Sequence, residues 1–333
     1  MSDREEIQLS ICIATFNRAK FIGETLDSLL PQLNAGVELV ILDGGSTDGT
    51  EQIVRSYAAR TPRLRYERQS TNNGVDRDFD RAVEIASGEY CWLMSDDDLI
   101  KEGGVNAVLS ALGRRRSLYI VNAEVRSHDL SSLIDDRRLE FDDNVFYGAG
   151  ELDRLFVETG LYLTFIGCVV ISRKLWLDRQ REPYFGSQFI HMGVIFQQPV
   201  PDGAEVIAAT LIVIRYGNAS WKSKEFEVWM YRWPTLVWSL PGLSENAKST
   251  VNPPKYWARA RTLLLYRAKG AYTPEEFQRW VRPRVSVLAA VFPRLICYFP
   301  RKLLNTLALA YYSMSGRRSA MTLVDLRNSR LRL

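Results

Sequence analysis

Apolar runs and helical repeats alternate along the first 125 residues of this 333-residue chain. Short runs rich in β-branched residues predict buried strands, and apolar residues three and four positions apart predict helices between them. Ile22, Leu26, Leu29 and Leu33 show this spacing between the first two runs. The alternation predicts a layered α/β sheet. Its strands are expected at residues 8–14, 38–43, 64–68, 90–94 and 118–125.

Two helices in this region carry signals for where they begin and end. Asp48, followed three residues later by Glu51, predicts a capping box that opens a helix through Tyr57. A third helix is expected to end at Gly88, because glycine is favoured just after a helix. Residues 126–160 are acidic and indicate an irregular connection, after which residues 165–172 predict another core strand.

The composition changes near Trp221 to aromatic and basic helices, which predicts two regions, 1–220 and 221–333, with a joint at Asn252-Pro253-Pro254. Residues 251–333 contain 16 Lys and Arg against 3 Asp and Glu, although the whole chain has a formal net charge of only +4. Basic residues interleaved with aromatic and aliphatic ones favour an anionic membrane surface as partner, and no nucleic acid. A solvated basic helical face is the alternative.

Targeting and membrane-spanning signals are weak. The longest apolar stretch, 285–312, is cut by Pro293 and Pro300, so it falls short of the roughly 18 uninterrupted apolar residues of a spanning helix. The charged N-terminus does not resemble a secretory signal. The four separated cysteines predict buried thiols, not a metal site or disulfide framework. We therefore expect a cytoplasmic protein, peripheral on the inner face of the plasma membrane.

Polar residues follow three of the predicted strands. Thr15 and Asn17 follow the first, Asp43 opens a glycine turn after the second, and Ser95-Asp96-Asp97-Asp98 follows the fourth. Because parallel strands bring their carboxyl ends to one edge, these residues should converge there. Adjacent carboxylates after a buried strand need a positive partner, which a hard divalent cation bridging a diphosphate supplies. Taken singly, the three motifs have structural alternatives. These are a helix cap for Thr15 and Asn17, an ordinary glycine turn for Asp43, and an acidic loop for the segment that follows the fourth strand.

The ordered motifs resemble those of a known family. They are Ser10-Ile-Cys-Ile-Ala-Thr-Phe-Asn17, Val40-Ile-Leu-Asp-Gly-Gly-Ser-Thr-Asp48, Asn73-Gly74, and Gly88-Glu-Tyr90 leading into Ser95-Asp-Asp-Asp98. The sequence resembles the family 2 glycosyltransferases, and within them the abequosyltransferase-like enzymes of bacterial O-antigen assembly. The resemblance is strong over residues 8–115 and looser over 116–215. It implies an α/β, Rossmann-like GT-A mixed sheet flanked by helices, here with a helical C-terminal extension.

The resemblance also implies roles for residues at the strand ends. Thr15 and Asn17 would line the nucleotide pocket, and Asp43 would contact the base. Asp97 matches the metal-binding carboxylate of the family's D-x-D motif, which implies Mg²⁺ or Mn²⁺ as cofactor. The remaining residues predicted to bind the nucleotide-sugar are Asn73, Arg77 and Asp96.

The chain departs from the family pattern at three of these positions. Gly44 replaces the second Asp of the common D-D-G-S-T-D turn, and Arg77 is displaced by two positions from a similar arginine in relatives. Ser95 replaces the first Asp of D-x-D, so either Asp96 or Asp98 must substitute for it or the metal is held more weakly.

The catalytic base is the largest departure, because residues 186–193 lack the Glu-Asp pair that inverting members usually place there. His191 is the leading candidate, since an imidazole with a pKa of about 6.5 can accept a proton from an acceptor hydroxyl. The alternative roles for His191 are a metal ligand and a packed core residue. Asp98 completes the predicted catalytic set, and Asp202 is a distant further candidate.

The expected activity is transfer of a hexosyl or deoxyhexosyl group from a nucleotide-sugar to a polyprenyl-diphosphate-linked glycan in bacterial surface-polysaccharide synthesis, with inversion. A sugar nucleotidyltransferase is one alternative, but it would carry a glycine-rich basic loop where this chain has Thr15-Phe16-Asn17-Arg18. A non-catalytic, nucleotide-binding, membrane-associated subunit is the other. It stays open because the Glu-Asp pair is missing and Ser95 replaces an Asp.

Overall fold

A mixed β-sheet organises the first part of the computed structural model, which describes residues 7–314 and 319–330. Its strands are β1 (Leu9–Thr15), β2 (Val37–Asp43), β3 (Leu64–Arg68), β4 (Tyr90–Met94), β5 (Leu99–Ile100), β6 (Leu118–Arg126), β7 (Leu133–Asp135), β8 (Val145–Tyr147), β9 (Val169–Ser172) and β10 (Ala204–Arg215). They lie in the order β3-β2-β1-β4-β9-β6-β10-β5, with β7 beside β6 and β8 beside β10.

β1, β2 and β4 form a parallel and buried part of the sheet. β1 pairs in parallel with β2 and β4, which places Thr15 opposite Asp43 and Ile13 opposite Met94. These strands are buried almost throughout, as expected of parallel strands that are covered on both faces. Because β1 and β2 end side by side and β4 ends two residues earlier, the segments that follow the three strands meet at one edge of the sheet, as the sequence predicted.

The other half of the sheet mixes strand directions. β9 runs antiparallel to both β4 and β6, while β10 is parallel to β6 and antiparallel to β5 and β8. The strand predicted over 165–172 is shorter than expected, because Ile166–Cys168 forms a 3₁₀ turn whose Gly167 carbonyl accepts a hydrogen bond from the Trp92 indole at 2.9 Å. The irregular structure predicted for 126–160 was wrong in part, since this segment contains β7, β8 and the start of a helix.

Helices flank the sheet and continue beyond it. They are α1 (Ile22–Leu29), α2 (Thr50–Ala58), α3 (Val75–Ile85), α4 (Gly104–Leu112), α5 (Leu152–Leu163), α6 (Arg173–Asp178), α7 (Ile190–Phe196), α8 (Glu225–Glu227), α9 (Trp233–Ser239), α10 (Glu245–Val251), α11 (Ala260–Lys269), α12 (Pro274–Glu276), α13 (Val287–Tyr298), α14 (Arg301–Ser313) and α15 (Ala320–Arg330).

Both predicted capping signals were wrong. The Asp48 carboxylate accepts a hydrogen bond from the Thr50 N–H at 2.9 Å, but Glu51 pairs with Arg55 and Arg68 and does not return to the start of the helix. α3 ends at Ile85, three residues before Gly88. Gly88 instead lies against β1, where a Cβ atom would be 2.7 Å from the Ser10 backbone nitrogen. The glycine is therefore required for close strand packing and not for ending the helix.

The chain divides into two compact units, residues up to Arg215 with Leu240–Ala247, and residues Tyr216–Ser239 with those from Lys248 onward. The second unit is helical and has its own core, which includes Phe226, Leu263, Tyr272 and Phe277. Whether regions 1–220 and 221–333 act as separate functional domains stays a prediction. In the part of the chain that the structure describes, no helix is both long and apolar enough to cross a membrane.

Candidate active site at the carboxyl edge of the sheet

The loops after β1 and β2 are held together by hydrogen bonds. The Asn17 N–H donates to the Ser46 hydroxyl at 2.9 Å, and the Thr47 N–H donates to the Asn17 side-chain oxygen at 2.8 Å. Asn17 has a φ of +56°, a left-handed conformation that asparagine tolerates better than most residues. The Thr15 carbonyl accepts a hydrogen bond from the Gly44 N–H at 2.9 Å. The structure thus brings Thr15 and Asn17 beside the Asp43 turn.

Asp43 is fully buried at the end of β2. One carboxylate oxygen accepts a hydrogen bond from the Ser46 N–H and the other from the Tyr66 hydroxyl, each at 2.7 Å. Burial and this hydrogen bond to Asp43 raise the pKa of Tyr66. The carboxylate therefore shapes the turn after β2, and its predicted contact with a nucleobase stays a prediction.

The acidic segment after β4 is buried and charge-paired. Arg18 donates from Nε to the Asp96 carboxylate at 2.9 Å and forms a second ion pair with Asp97. Burial raises the pKa of Asp96, and the Arg18 charge opposes that rise. Burial and the charge of Asp97 raise the pKa of Asp98 well above its ordinary value. The positive partner that the sequence required for these carboxylates is, in this structure, an arginine of the neighbouring loop.

A second arginine supports the acidic segment from β10. The Arg215 N–H donates to the Asp98 carboxylate at 2.7 Å, and its Nε donates to the Asp97 carbonyl at 2.9 Å. Its guanidinium also pairs with Glu24 of α1. This role of Arg215 has little signal in the sequence, because Arg215 lies more than a hundred residues from the motif and ends an apolar run. Arg18 was visible in the first motif, but only the fold shows that it reaches the carboxylates.

Asp78 of α3 was also missed, and it lies beside the turn after β2. Its Oδ2 atom is 2.8 Å from the position that a Cβ atom on Gly44 would occupy. Its Oδ1 atom is buried without a hydrogen-bond partner among the described residues. Burial, together with the charges of Asp43 and Asp76, raises the pKa of Asp78 to about 7. Because Gly44 has no side chain, it leaves room for this carboxyl group.

His191 is placed in the protein interior, with 1% of its surface exposed. Its Nε2 lies 2.7 Å from the Leu163 carbonyl, which accepts a hydrogen bond only if that nitrogen carries the proton. Nδ1 then holds the lone pair, and it has no hydrogen-bond partner within the described residues. Burial lowers the pKa of His191 to about 4, so the ring is neutral near pH 7. No hydrogen bond within the described ranges joins this imidazole to the strand-end residues.

The helix that carries His191 is tied to α3. The two oxygens of the Asp76 carboxylate accept hydrogen bonds from the backbone N–H groups of Gln188 and Ile190, at 2.8 and 3.1 Å. Asp76 therefore fixes the start of α7. Two other predicted site residues lie near the start of α3 and are exposed: Asn73 donates to the Gln69 side chain, and the Arg77 guanidinium lies 4.3 Å from the centre of the Phe185 ring.

The strand-end residues have the chemistry of a divalent-cation site with few protein ligands. Within residues 7–314 and 319–330 there is no group of three or more His, Cys, Asp or Glu side chains arranged to hold a metal ion. A Mg²⁺ or Mn²⁺ ion held by one or two carboxylates and substrate phosphates needs no such group. The Arg18 guanidinium already places positive charge against Asp96 and Asp97. These hard oxygen donors fit such an ion, with Asp97 as its predicted ligand.

Comparisons with solved structures define the fold class. TarS 1-349 from S. aureus, in complex with UDP, aligns with a TM-score of 0.58 and 16% identity over 97% of this chain and 90% of that chain. Mannosyltransferase PcManGT from Pyrobaculum calidifontis, in complex with GDP-Man and Mn²⁺, aligns with a TM-score of 0.53 and 17% identity over 97% and 86%. The predicted GT-A glycosyltransferase fold with a helical C-terminal region is confirmed.

Sequence comparisons narrow this class to a family. The family model for Glycosyl transferase family 2 matches residues 10–175, which include all three strand-end segments. Abequosyltransferase RfbV of Salmonella typhimurium is 26% identical over 230 residues, which cover 65% of this chain and 69% of that protein. Residues 10–175 of this chain therefore belong to glycosyltransferase family 2, as the motifs predicted.

Proposed function

We propose that this protein transfers a hexosyl or deoxyhexosyl group from a nucleotide-sugar to a glycan acceptor in bacterial surface-polysaccharide synthesis of the O-antigen type. The observation that carries this proposal is the convergence of the Thr15–Arg18, Asp43–Ser46 and Asp96–Asp98 segments at one sheet edge. Similarity to an abequosyltransferase supports the sugar class, and neighbours solved with UDP and GDP-Man support a nucleotide-sugar donor.

Each strand-end segment has a proposed part in donor binding. Thr15, Asn17 and Asp43 form the nucleotide end of the site, where the hydrogen-bonded turns present backbone and side-chain polar groups. Asp96, which pairs with Arg18, is also proposed to bind the nucleotide-sugar. Asn73 and Arg77, which are exposed near the start of α3, are proposed to contact the donor at the edge of the site.

The proposed reaction is a single displacement at the anomeric carbon, which inverts its configuration. A Mg²⁺ or Mn²⁺ ion bound through Asp97 would supply positive charge for the departing diphosphate. Arg18 pairs with the buried Asp96 and Asp97 carboxylates, so it compensates part of their negative charge. The guanidinium also lies 5.0 Å from the Phe21 ring centre, which fixes its direction.

Two residues are proposed for proton removal from the acceptor hydroxyl. His191 is neutral and its Nδ1 lone pair is not used by a hydrogen bond within the described chain, which is the protonation state that a general base requires. Asp98 belongs to the strand-end cluster and is held by the Arg215 backbone N–H. Substitution at His191 separates these possibilities.

Replacing His191 with Gln is expected to lower kcat by about a hundredfold or more if His191 is the base. Glutamine can keep a donor for the Leu163 carbonyl through its side-chain amide, but it cannot accept the proton. The measurement is steady-state kinetics with donor affinity determined separately, which should be unchanged. A kcat within about threefold of wild type, with an unchanged melting temperature, would show a packed core histidine and leave Asp98 as the base.

The proposed acceptor is a glycan on a polyprenyl diphosphate, met at the anionic inner face of the plasma membrane. The basic and aromatic composition of residues 251–333 supports this location, because such segments bind anionic headgroups. A lipid-linked acceptor and a membrane-bound transferase would be confined to the same surface, which raises their effective concentration.

A donor screen tests the transferase proposal. We expect one class among UDP-, GDP-, CDP- and dTDP-sugars to raise the melting temperature in the presence of Mn²⁺ or Mg²⁺, and to lose most of that effect in EDTA. Binding should be accompanied by slow hydrolysis of the donor, which is measured as the release of free nucleotide. Binding without any turnover, even with extracted lipid-linked glycans, would support a non-catalytic nucleotide-binding subunit. No stabilisation by any nucleotide would contradict both proposals.

A further inference from the structure

The outer face of α13 is apolar and exposed to an unusual degree. Leu288 is 86% exposed and Leu295 is 63% exposed, although both are in a regular helix. The opposite face packs into the core of the second unit through Ala290, Ile296 and Cys297. α13 is therefore anchored on one side and presents large hydrophobic side chains on the other. Its exposed apolar residues are Val287, Leu288, Val291, Phe292, Leu295 and Tyr298.

The next helix, α14, buries a polar side chain and exposes several large apolar ones. Its fully buried residue is Asn305, whose side-chain amide donates to the Ala268 and Leu326 carbonyls and to the Ser329 hydroxyl. Arg301 also points inward, donating to the Lys269 and Ser329 carbonyls. Its exposed large apolar side chains are Leu303, Leu307 and Tyr311, and Met314 is exposed just after the helix. We call the exposed apolar residues of both helices the α13–α14 face.

This face lies in a strongly basic stretch of the chain. Residues 277–324 contain eight Lys and Arg and no Asp or Glu. Arg294 of α13 and Lys302 of α14 are exposed beside the apolar side chains. So many exposed large apolar side chains in two consecutive helices are unusual on a protein surrounded only by water, and they indicate a surface that a partner covers. Because this stretch contains basic but no acidic residues, its net positive charge favours an anionic partner.

The dimensions exclude a spanning arrangement for either helix. At 1.5 Å per residue, α13 and α14 are about 18 and 20 Å long, whereas a hydrocarbon core is about 30 Å thick. Apolar residues on one face with basic residues at the border are the features of helices that lie in the plane of a bilayer interface. A second copy of the chain fits less well, because pairing this face with itself would bring two basic stretches together.

We infer that the α13–α14 face inserts into the headgroup region of a bilayer that contains anionic phospholipids. This inference deepens the proposed membrane location, on which it rests, by naming the surface and the side chains that enter the lipid. Insertion of these apolar side chains adds a hydrophobic contribution to membrane binding, beyond the electrostatic attraction expected from the basic composition. Binding should therefore weaken at high salt but should not disappear.

Vesicle sedimentation with matched leucine variants tests the insertion. The test variant is Leu288→Ser with Leu295→Ser, and the control is Leu133→Ser with Leu161→Ser, two exposed leucines of the first unit. With vesicles of three parts phosphatidylcholine to one part phosphatidylglycerol, we expect the test variant to bind about tenfold or more weakly, since each lost leucine removes apolar area from the lipid. The control should bind like wild type. Equal binding of the two variants would overturn the inference.

A labelled variant reports insertion directly. Because Cys12, Cys91, Cys168 and Cys297 are all buried, a cysteine introduced at an exposed position can be labelled selectively with an environment-sensitive fluorophore. Leu288→Cys should show a blue-shifted, brighter emission with the anionic vesicles, and Leu161→Cys should not change. A shift at Leu288 that depends on protein concentration and not on lipid would show self-association and overturn the membrane assignment.

The vesicle-binding experiments can be interpreted separately from the transferase activity. Donor binding and donor hydrolysis in the absence of lipid use the first unit, so they should be the same in the leucine variants and in wild type. Loss of vesicle binding with intact donor hydrolysis would support the inference and leave the transferase proposal standing. Wild-type protein that hydrolyses donor but does not bind anionic vesicles would overturn the inference and the proposed membrane location, and it would leave the transferase proposal standing.

Discussion

Replacing Asp97 with Asn is expected to lower the kcat for sugar transfer by about two to three orders of magnitude. The substitution keeps the size of the side chain and removes the negative charge that is proposed to bind the metal ion. Asp97 and Asp96 share Arg18, so the variant also changes the balance of charge around that guanidinium. The stabilisation of the protein by donor plus Mn²⁺ should fall with the activity, because both depend on the same ion.

A matched control is available at Asp142, whose side chain is 98% exposed and pairs only weakly with Arg137 across 3.2 Å. Asp142→Asn makes the same chemical change without reaching the sheet edge, and it should keep wild-type activity and metal dependence. Both variants should melt within a few degrees of wild type. If Asp97→Asn retained activity and its response to Mn²⁺, Asp97 would be excluded as the metal ligand.

Replacing Asp78 with Asn is expected to stabilise the protein at pH 8 by up to about 4 kcal/mol. The pKa of the folded-state carboxyl is raised to about 7, first by burial and then by Asp43 and Asp76, so at pH 8 it is ionised against its surroundings. Asparagine has nearly the same shape and no charge. Its amide also occupies the place beside Gly44 without repelling Asp43.

The sign of the pH dependence follows from the direction of the shift. A carboxyl whose pKa is about 7 when folded and about 4 when unfolded loses stability as the pH rises through this interval, because the unfolded state releases the proton first. The advantage of Asp78→Asn should therefore shrink as the pH falls from 8 toward 5. Urea unfolding of both proteins at several pH values measures it.

Asp142→Asn provides the comparison here as well, because this side chain is 98% exposed and its replacement should change the stability little. Destabilisation by Asp78→Asn at pH 8 would mean that the carboxylate is charged and well partnered, contrary to the assignment. A buried carboxyl that destabilises the fold beside a ligand site is the kind of residue that function retains. Donor affinity of the variant should therefore be measured together with its stability.

Local pattern was enough to place most of the sheet. The bounds expected for the third and fourth strands agree with β3 and β4, and those for the first, second and fifth strands differ from β1, β2 and β6 by a single residue at the ends. Strongly apolar runs between turns have few alternative conformations, which explains the accuracy. The errors fall where a side chain has several possible partners, as with Glu51, or where a glycine has several uses, as with Gly88.

The sequence alone therefore determined the family, the GT-A sheet and the convergence of the three strand ends, because these depend on short motifs and on the fixed geometry of parallel strands. Only the tertiary structure decided how the buried carboxylates are compensated. Arg18 and Arg215 come from a loop and a distant strand, and no local pattern relates either of them to Asp97. The same holds for α14, where hydrogen bonds to Ala268, Leu326 and Ser329 accompany the burial of Asn305, while Leu303 and Leu307 are exposed. Long-range contacts set which face of a helix is inside, and composition does not.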